Sequence, residues 1–300
     1  MLKKALCGLV IGIFLLTMAP FVQTKVMTHN WPQFRGANGS GLGETTGLPS
    51  EFGPDKNVIW KKTIPTGHSS PVLIKDRIFL TACENEKLWT FCLDRKSGDT
   101  LWKKEAPRPR REKLDSRNNP ASPTPATDGI NVYVFFPDFG MLGYDFNGQE
   151  LWQLPLGPFN NIYGMGASPV VAENKVILVC DQQNDSFIVA VDKSSGIIRW
   201  KKDRPEATSG HCTPVVYSPE VGETQIIVPG SFLLISYSAD TGNRVWWVGG
   251  LTAEMKSTPV MQDGVLYING FTSPLNQPEN QVKIPDFDQA LEKYDADNNG

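Results

Sequence analysis

The chain has no surplus of charge of either sign: 29 Lys and Arg stand against 32 Asp and Glu in 300 residues. That balance argues against a nucleic-acid groove or a polybasic membrane patch as the main business of the protein. Among its five cysteines there is no Cys-x-x-Cys, which counts against a structural zinc site. No phosphate-cradling glycine loop and no Ser/His/Asp set is recognisable. Turn formers, by contrast, are abundant. The 27 Gly and 23 Pro residues fit a β protein built from many short strands.

The N-terminus reads as an address rather than as fold. Lys3 and Lys4 precede the uncharged apolar run Ala5 to Val22, the pattern of an export signal. Ala19 is followed by Pro20, a poor cleavage site. Cleavage further on and retention as an anchor both stay open, and membrane contact is expected only through this segment. Export would put Cys83, Cys92, Cys180 and Cys212 in an oxidising compartment. Cys83 and Cys92 flank the turn Glu84 to Lys87, so a bridge across a hairpin is one reading. Burial as small apolar residues in strands is the reading adopted.

One phrase recurs: Gly98-Asp-Thr-Leu-Trp102, Gly148-Gln-Glu-Leu-Trp152, Gly196-Ile-Ile-Arg-Trp200 and Gly242-Asn-Arg-Val-Trp246. Its tryptophans lie 46–50 residues apart, so one supersecondary unit is copied in series. A second landmark keeps nearly the same period: Pro71, Pro123, Pro169, Pro214 and Pro259 each follow Ser or Thr at the opening of a copy. Proline is tolerated at the first residue of a strand, because the N–H it lacks need not join a ladder there.

The first copy shows the pattern. Ser70–Ile74, Arg77–Cys83, Leu88–Leu93 and Thr100–Lys104 read as four strands joined by turns. Asp and Gly in the last turn supply local hydrogen bonding and positive φ, and the closing Trp offers apolar surface to a neighbouring sheet. Four-stranded antiparallel units of this period close radially into an all-β propeller. About five blade units are visible over 57–272, preceded by a leader at 1–26 and an extension at 27–56, and the ring is expected to be incomplete in this chain. No Trp-Asp dipeptide and no recurring diglycine mark other propeller families. Asn57–Thr63 reads as a fourth strand lacking its first three.

The Ser-Pro-Val opening, the apolar second strand, the Leu-x-x-x-Asp third strand and the Gly-x-x-Leu-Trp close resemble the pyrroloquinoline-quinone-like (PQQ-like) repeat. Trp31-Pro-Gln-Phe-Arg-Gly36 resembles the opening of exported bacterial proteins of that group. The resemblance covers about residues 31–272 and implies a propeller similar to those of an outer-membrane barrel-assembly lipoprotein and of quinoprotein dehydrogenases. The alcohol-dehydrogenase branch of the latter carries a disulfide between adjacent cysteines, and no Cys-Cys pair occurs here. Quinone chemistry would also need cationic contacts, a calcium ion, an aromatic floor and a carboxylate base. Most of the placeable Asp residues are already accounted for by repeat turns.

The repeat breaks after Phe271. In the final segment, 273–300, a polar loop leads to Pro285–Tyr294, which has helical spacing of its apolar residues. Asp295, Asp297 and Asn299 with Gly300 then match positions 1, 3, 5 and 6 of an EF-hand calcium loop. The ligands at positions 7 and 12 would lie beyond, so a longer natural chain with further blades is expected.

Two more features remain after the repeat is subtracted. His68 and His211 stand just ahead of the openings of blades one and four, where both could face the central funnel; local bonding to backbone is the plainer reading. Arg108–Lys113, with Arg110 and Arg111, lies in a long connection suited to an acidic ligand or partner, or to simple solvation. The reading reached from sequence is an exported, non-catalytic binding or assembly scaffold of the cell envelope. Its partner is another protein, it has no cofactor of its own, and calcium is the ion a completed loop would take. A PQQ-dependent oxidoreductase is the alternative.

Overall fold

The computed structural model describes residues 30–43, 45–270, 288, 289 and 292. The apolar N-terminal run and the candidate calcium ligands Asp295, Asp297 and Asn299 lie outside the described residues. Residues 288, 289 and 292 are α-helical.

Four antiparallel sheets follow one another, each with its strands in sequence order. Blade one comprises β1 (Val72–Ile74), β2 (Arg77–Glu84), β3 (Lys87–Asp94) and β4 (Thr100–Ala106). Blade two comprises β5 (Ala126–Thr127), β6 (Asn131–Phe136), β7 (Gly140–Asp145) and β8 (Glu150–Pro155). Blade three comprises β9 (Val170–Ala172), β10 (Lys175–Cys180), β11 (Phe187–Asp192) and β12 (Ile198–Asp203). Blade four comprises β13 (Val215–Tyr217), β14 (Gln225–Pro229), β15 (Leu233–Ser238) and β16 (Arg244–Gly249). A fifth unit begins with the hairpin β17 (Val260–Gln262) and β18 (Val265–Tyr267). Its turn, Asp263-Gly264, has positive φ at both residues, as a two-residue hairpin turn demands. The first strands β1, β5, β9 and β13 lie side by side around a common axis.

The core lies between blades. On β6, Val132, Val134 and Phe136 pack with Val72, Phe79 and Leu88 of blade one. Tyr133 and Phe135 point the other way and pack with Val176 and Leu178 of blade three. Both faces of the sheet are covered, so the strand is apolar throughout instead of alternating with polar residues. Each such side chain contributes roughly 1.5–3 kcal/mol of burial.

The recurring tryptophan lies against the glycine of the next blade. A Cβ added at Gly148, Gly196 or Gly242 would fall 2.5–2.7 Å from the ring of Trp102, Trp152 or Trp200 respectively. Each indole N–H also donates to a carbonyl of that next blade: Phe146 at 2.8 Å, Lys193 at 3.0 Å and Ala239 at 3.1 Å. Trp60 treats Gly98 in the same way and donates to the Arg95 carbonyl at 3.0 Å. The segment 57–63 has no ladder partner among the described residues. Trp60 nevertheless occupies the place of a fourth-strand tryptophan.

A second device joins the blades near the axis. The N–H of Ser70 donates to Thr124 Oγ1, that of Thr124 to Ser168 Oγ, and that of Ser168 to Thr213 Oγ1, each at 3.0 Å. Every first strand begins two residues after such a hydroxyl. Blade two therefore opens at Thr124-Pro125, and the expected opening at Ser122-Pro123 is two residues early. In the last turns, the Asp94, Asp145 and Asp192 carboxylates each accept two backbone N–H groups. In blade four Ser238 holds this place and accepts from the Thr241 N–H; Asp240 does not.

The cross-hairpin pairing of cysteines is excluded by register. β2 and β3 pair Cys83 with Leu88 and Cys92 with Phe79, and Cys83, Cys92, Cys180 and Cys212 are all unpaired.

Residues 31–39, which the sequence places in an extension, pack onto the propeller body. Trp31 exchanges both backbone hydrogen bonds with Leu73 of β1, at 2.6 and 2.9 Å. The Pro32 carbonyl accepts from Thr127 of β5 at 2.9 Å. The Asn38 side chain pairs with both backbone groups of Val216 on β13, at 2.7 and 2.8 Å, and Gly39 abuts Val215 and Thr258. The segment is thus a strap from blade one to blades four and five, across the C-terminal ends of the first strands.

Candidate functional site at the axial face

At the other end of those strands the chain returns from the outer strand of each blade to the axis. The residue two places before each opening hydroxyl therefore occupies an equivalent position: His68, Ser122, Gly166, His211 and Lys256. Backbone bonds repeat with it. The His68 N–H donates to the Ala121 carbonyl at 3.1 Å, and the His211 N–H to the Met255 carbonyl at 3.4 Å.

Four of these five positions line one cavity of about 430 Å³, with Leu114, Arg117, Asn118 and Asn119 from the β4–β5 connection and Tyr163 from the β8–β9 connection. The His211 ring stands edge-on to Tyr163 at 5.9 Å between centroids. Burial lowers the His211 pKa, with the Lys256 cation adding to the effect and the Glu254 and Asp181 carboxylates opposing it. Its imidazole is accordingly neutral at neutral pH. The Asn118 amide ties the two connections together by donating to the Tyr163 carbonyl at 2.5 Å.

His68 is exposed and does not line this cavity. The two histidines are related by position in the repeat and do not bond to each other. Arg110 and Arg111 lie elsewhere. Arg110 donates to Glu112 at 2.5 Å, to the Pro137 carbonyl at 2.6 Å and to the Leu156 carbonyl. Arg111 pairs with Glu86 at 2.7 Å, and Arg108 with Glu86 and Asp138 at 3.1 and 2.7 Å. The basic stretch is thus matched by carboxylates of its own and neighbouring turns. The same connection contributes to the cavity through its later residues, 114–122.

Sequence reasoning passed over Tyr163 and Lys256, while Asn119 closes the connection it singled out. The signal was available: counting back two residues from Thr124 and Thr258, as from Ser70 and Thr213, gives Ser122 and Lys256 as partners of the histidines. Tyr163 lies in a connection without a repeat landmark. The cavity lining includes no carboxylate. Among the described residues, no three His, Cys, Asp or Glu side chains come together as a metal site. A quinone with its calcium ion and carboxylate base does not fit this donor set.

The repeat, its register and the axial cavity define a β-propeller of the PQQ-like kind. A family model described as outer membrane protein assembly factor BamB matches residues 53–214 and 161–272, well over half of the sequence, and the chain belongs to that family. No curated protein matches it. BamB from Moraxella catarrhalis is 14% identical with a TM-score of 0.50, over 69% of this chain and 59% of that one. A europium-containing methanol dehydrogenase is 13% identical with a TM-score of 0.55, over 75% and 49%. A quinohemoprotein alcohol dehydrogenase from Pseudomonas putida HK5 is 18% identical with a TM-score of 0.48, over 62% and 34%. At such identities the likeness is one of fold. The chain spans 34–59% of the length of these structures.

Proposed function

We propose that the protein is an exported, non-catalytic scaffold of the bacterial cell envelope that docks another protein on its axial face. The observation that carries this reading is the donor set of the axial cavity. It offers hydrogen-bond donors and cations with apolar walls, and lacks the carboxylates that a calcium-dependent quinone oxidoreductase needs for its ion and its base. Membership of a family described as an assembly factor supports the same choice.

The test is photo-crosslinking in the native host from a reactive group at Tyr163, with a control at Asn38 on the strap, combined with cell fractionation. The expected result is an adduct with one envelope protein from position 163 and none from position 38. Cytoplasmic location, or dye reduction with any alcohol or aldose after addition of PQQ and calcium, would reject the reading. The calcium loop begun by Asp295, Asp297 and Asn299 is a separate proposal. Calorimetry on a full-length chain tests it, and calcium uptake unchanged by Asp295→Ala would count against it.

A further inference from the structure

The axial cavity has a chemistry of its own. Its lining brings together donors that the fold leaves unused. The His211 imidazole and the Tyr163 hydroxyl make no hydrogen bond among the described residues. The Asn119 side chain spends its oxygen on the Ala121 N–H at 2.8 Å, and its amide nitrogen is free. Two cations complete the set. Arg117 is held by Asp115 at 2.8 Å and Lys256 by Glu254 at 3.4 Å, and neither carboxylate lines the cavity. No carboxylate is among the residues that line the cavity; Asp115 and Glu254 stand behind it, against the two cations. Beside them lie apolar surfaces, Leu114 and the Tyr163 ring.

The strap, residues 31–39, bonds to the first strands at Leu73, Thr127 and Val216, each five residues along the chain from His68, Ser122 and His211 respectively. A cluster of donors beside two cations suits a group that accepts several hydrogen bonds at once, and a carboxylate held by several donors makes stronger bonds than a neutral amide. The apolar walls add a preference for carbon next to that group.

We propose that the axial cavity binds a carboxylate carried on an apolar group, as at the C-terminus of a protein chain that ends in an apolar residue. The proposal deepens the scaffold reading and rests on it only for the ligand being part of a protein. His211, Tyr163 and Asn119 bond to the carboxylate, Arg117 and Lys256 supply positive potential, and Leu114 faces the apolar group.

Calorimetry on the purified protein tests this with three probes: Gly-Gly-Leu with a free C-terminus, the same tripeptide as its amide, and phenylacetate. The free tripeptide is expected to bind at least about tenfold more tightly than the amide, the ratio that one charge-assisted hydrogen bond gives. Tyr163→Phe, which keeps the ring, and His211→Gln are each expected to weaken the free tripeptide several-fold. Phenylacetate binding as tightly as the tripeptide would assign the site to free acids; weaker binding assigns it to a chain terminus. Equal affinity for acid and amide, no binding of any probe, or affinity unchanged in both variants would overturn the proposal. A protein crosslinked from position 163 and not displaced by the tripeptide would leave the scaffold reading standing while this one fell. Carboxylate binding with no crosslinked partner would do the reverse.

Discussion

Arg204 donates from Nε and Nη2 to the two carboxylate oxygens of Asp181, at 2.7 and 2.9 Å, and its side chain is 0% exposed. Its third nitrogen donates to the Tyr237 hydroxyl of blade four at 2.6 Å. A fork geometry of this kind stabilises only while both partners are present, because a buried charge left alone is strongly penalised. Arg204→Met is therefore expected to cost about 3–5 kcal/mol in urea unfolding. Adding Asp181→Val should recover a large part of that loss. Strict additivity of the two single effects would show that the pair is not coupled.

The indole-on-glycine contact makes a second, differential prediction. Gly196→Ala places a methyl 2.7 Å from the Trp152 ring at a φ of +70°. Backbone strain and overpacking together should cost about 2–4 kcal/mol. Gly129 has a φ of +87° but nothing within 4 Å of an added Cβ, so Gly129→Ala should cost only about 1–2 kcal/mol. Equal losses in chemical denaturation would mean that the ring contributes nothing to the requirement for glycine.

Ser168 tests the axial hydroxyl chain. It accepts from the Thr124 N–H and is itself buried. Ser168→Ala strands that N–H, at a cost of about 1–3 kcal/mol. Ser168→Thr keeps an oxygen in place, as Thr124 and Thr213 do in neighbouring blades, and should lie closer to the parent. The amide exchange rate at Thr124 reads the same bond directly and should rise in the alanine variant alone.

Thiol reactivity separates the cysteines. Burial pushes Cys92 up to about 11 and Cys212 up to about 12, and raises Cys180 well above its ordinary value. Cys83 is only half-buried. At pH 8 a thiol reagent should label Cys83 in the folded protein and reach Cys92, Cys180 and Cys212 only after denaturation. Failure to label Cys83 in the folded, unreduced protein, with labelling restored by reductant, would point to a disulfide at this position.

The Asp192 carboxylate accepts from Ser194, Ser195 and Arg199, which together hold its pKa well below the ordinary value. A depressed folded pKa contributes stability that is complete above the unfolded value of about 4 and is lost as pH falls below it. Asp192→Asn should therefore cost about 1 kcal/mol at pH 7. The gap between parent and variant should narrow steadily below about pH 4. A gap that does not change with pH would assign the effect to packing.

How far these features were legible depends on whether their cause is local. Strands and turns were read well because each depends on a few neighbouring residues; Asp94 and Gly98, for instance, shape a turn that the sequence spells out. The opening of blade two was misplaced because Ser122-Pro-Thr-Pro125 presents the signal twice in succession. Bonds to Ser70 and Ser168, 54 and 44 residues away, decide between them. Arg204 was passed over because arginine ordinarily belongs at the surface, and its partners come from a strand end and another blade. The strap carries no strand pattern, and its anchor Asn38 meets Val216 across 178 residues.

The joint between blades has a wider consequence. One hydroxyl, one glycine and one indole recur at fixed places in the joints between blades one to four, beside the apolar side chains that fill each interface. Such a coupling is a standard fitting: a unit that keeps those three residues and its apolar faces can be duplicated, lost or exchanged with little redesign of its neighbours. The connections that rim the axis are then free to change their chemistry one at a time.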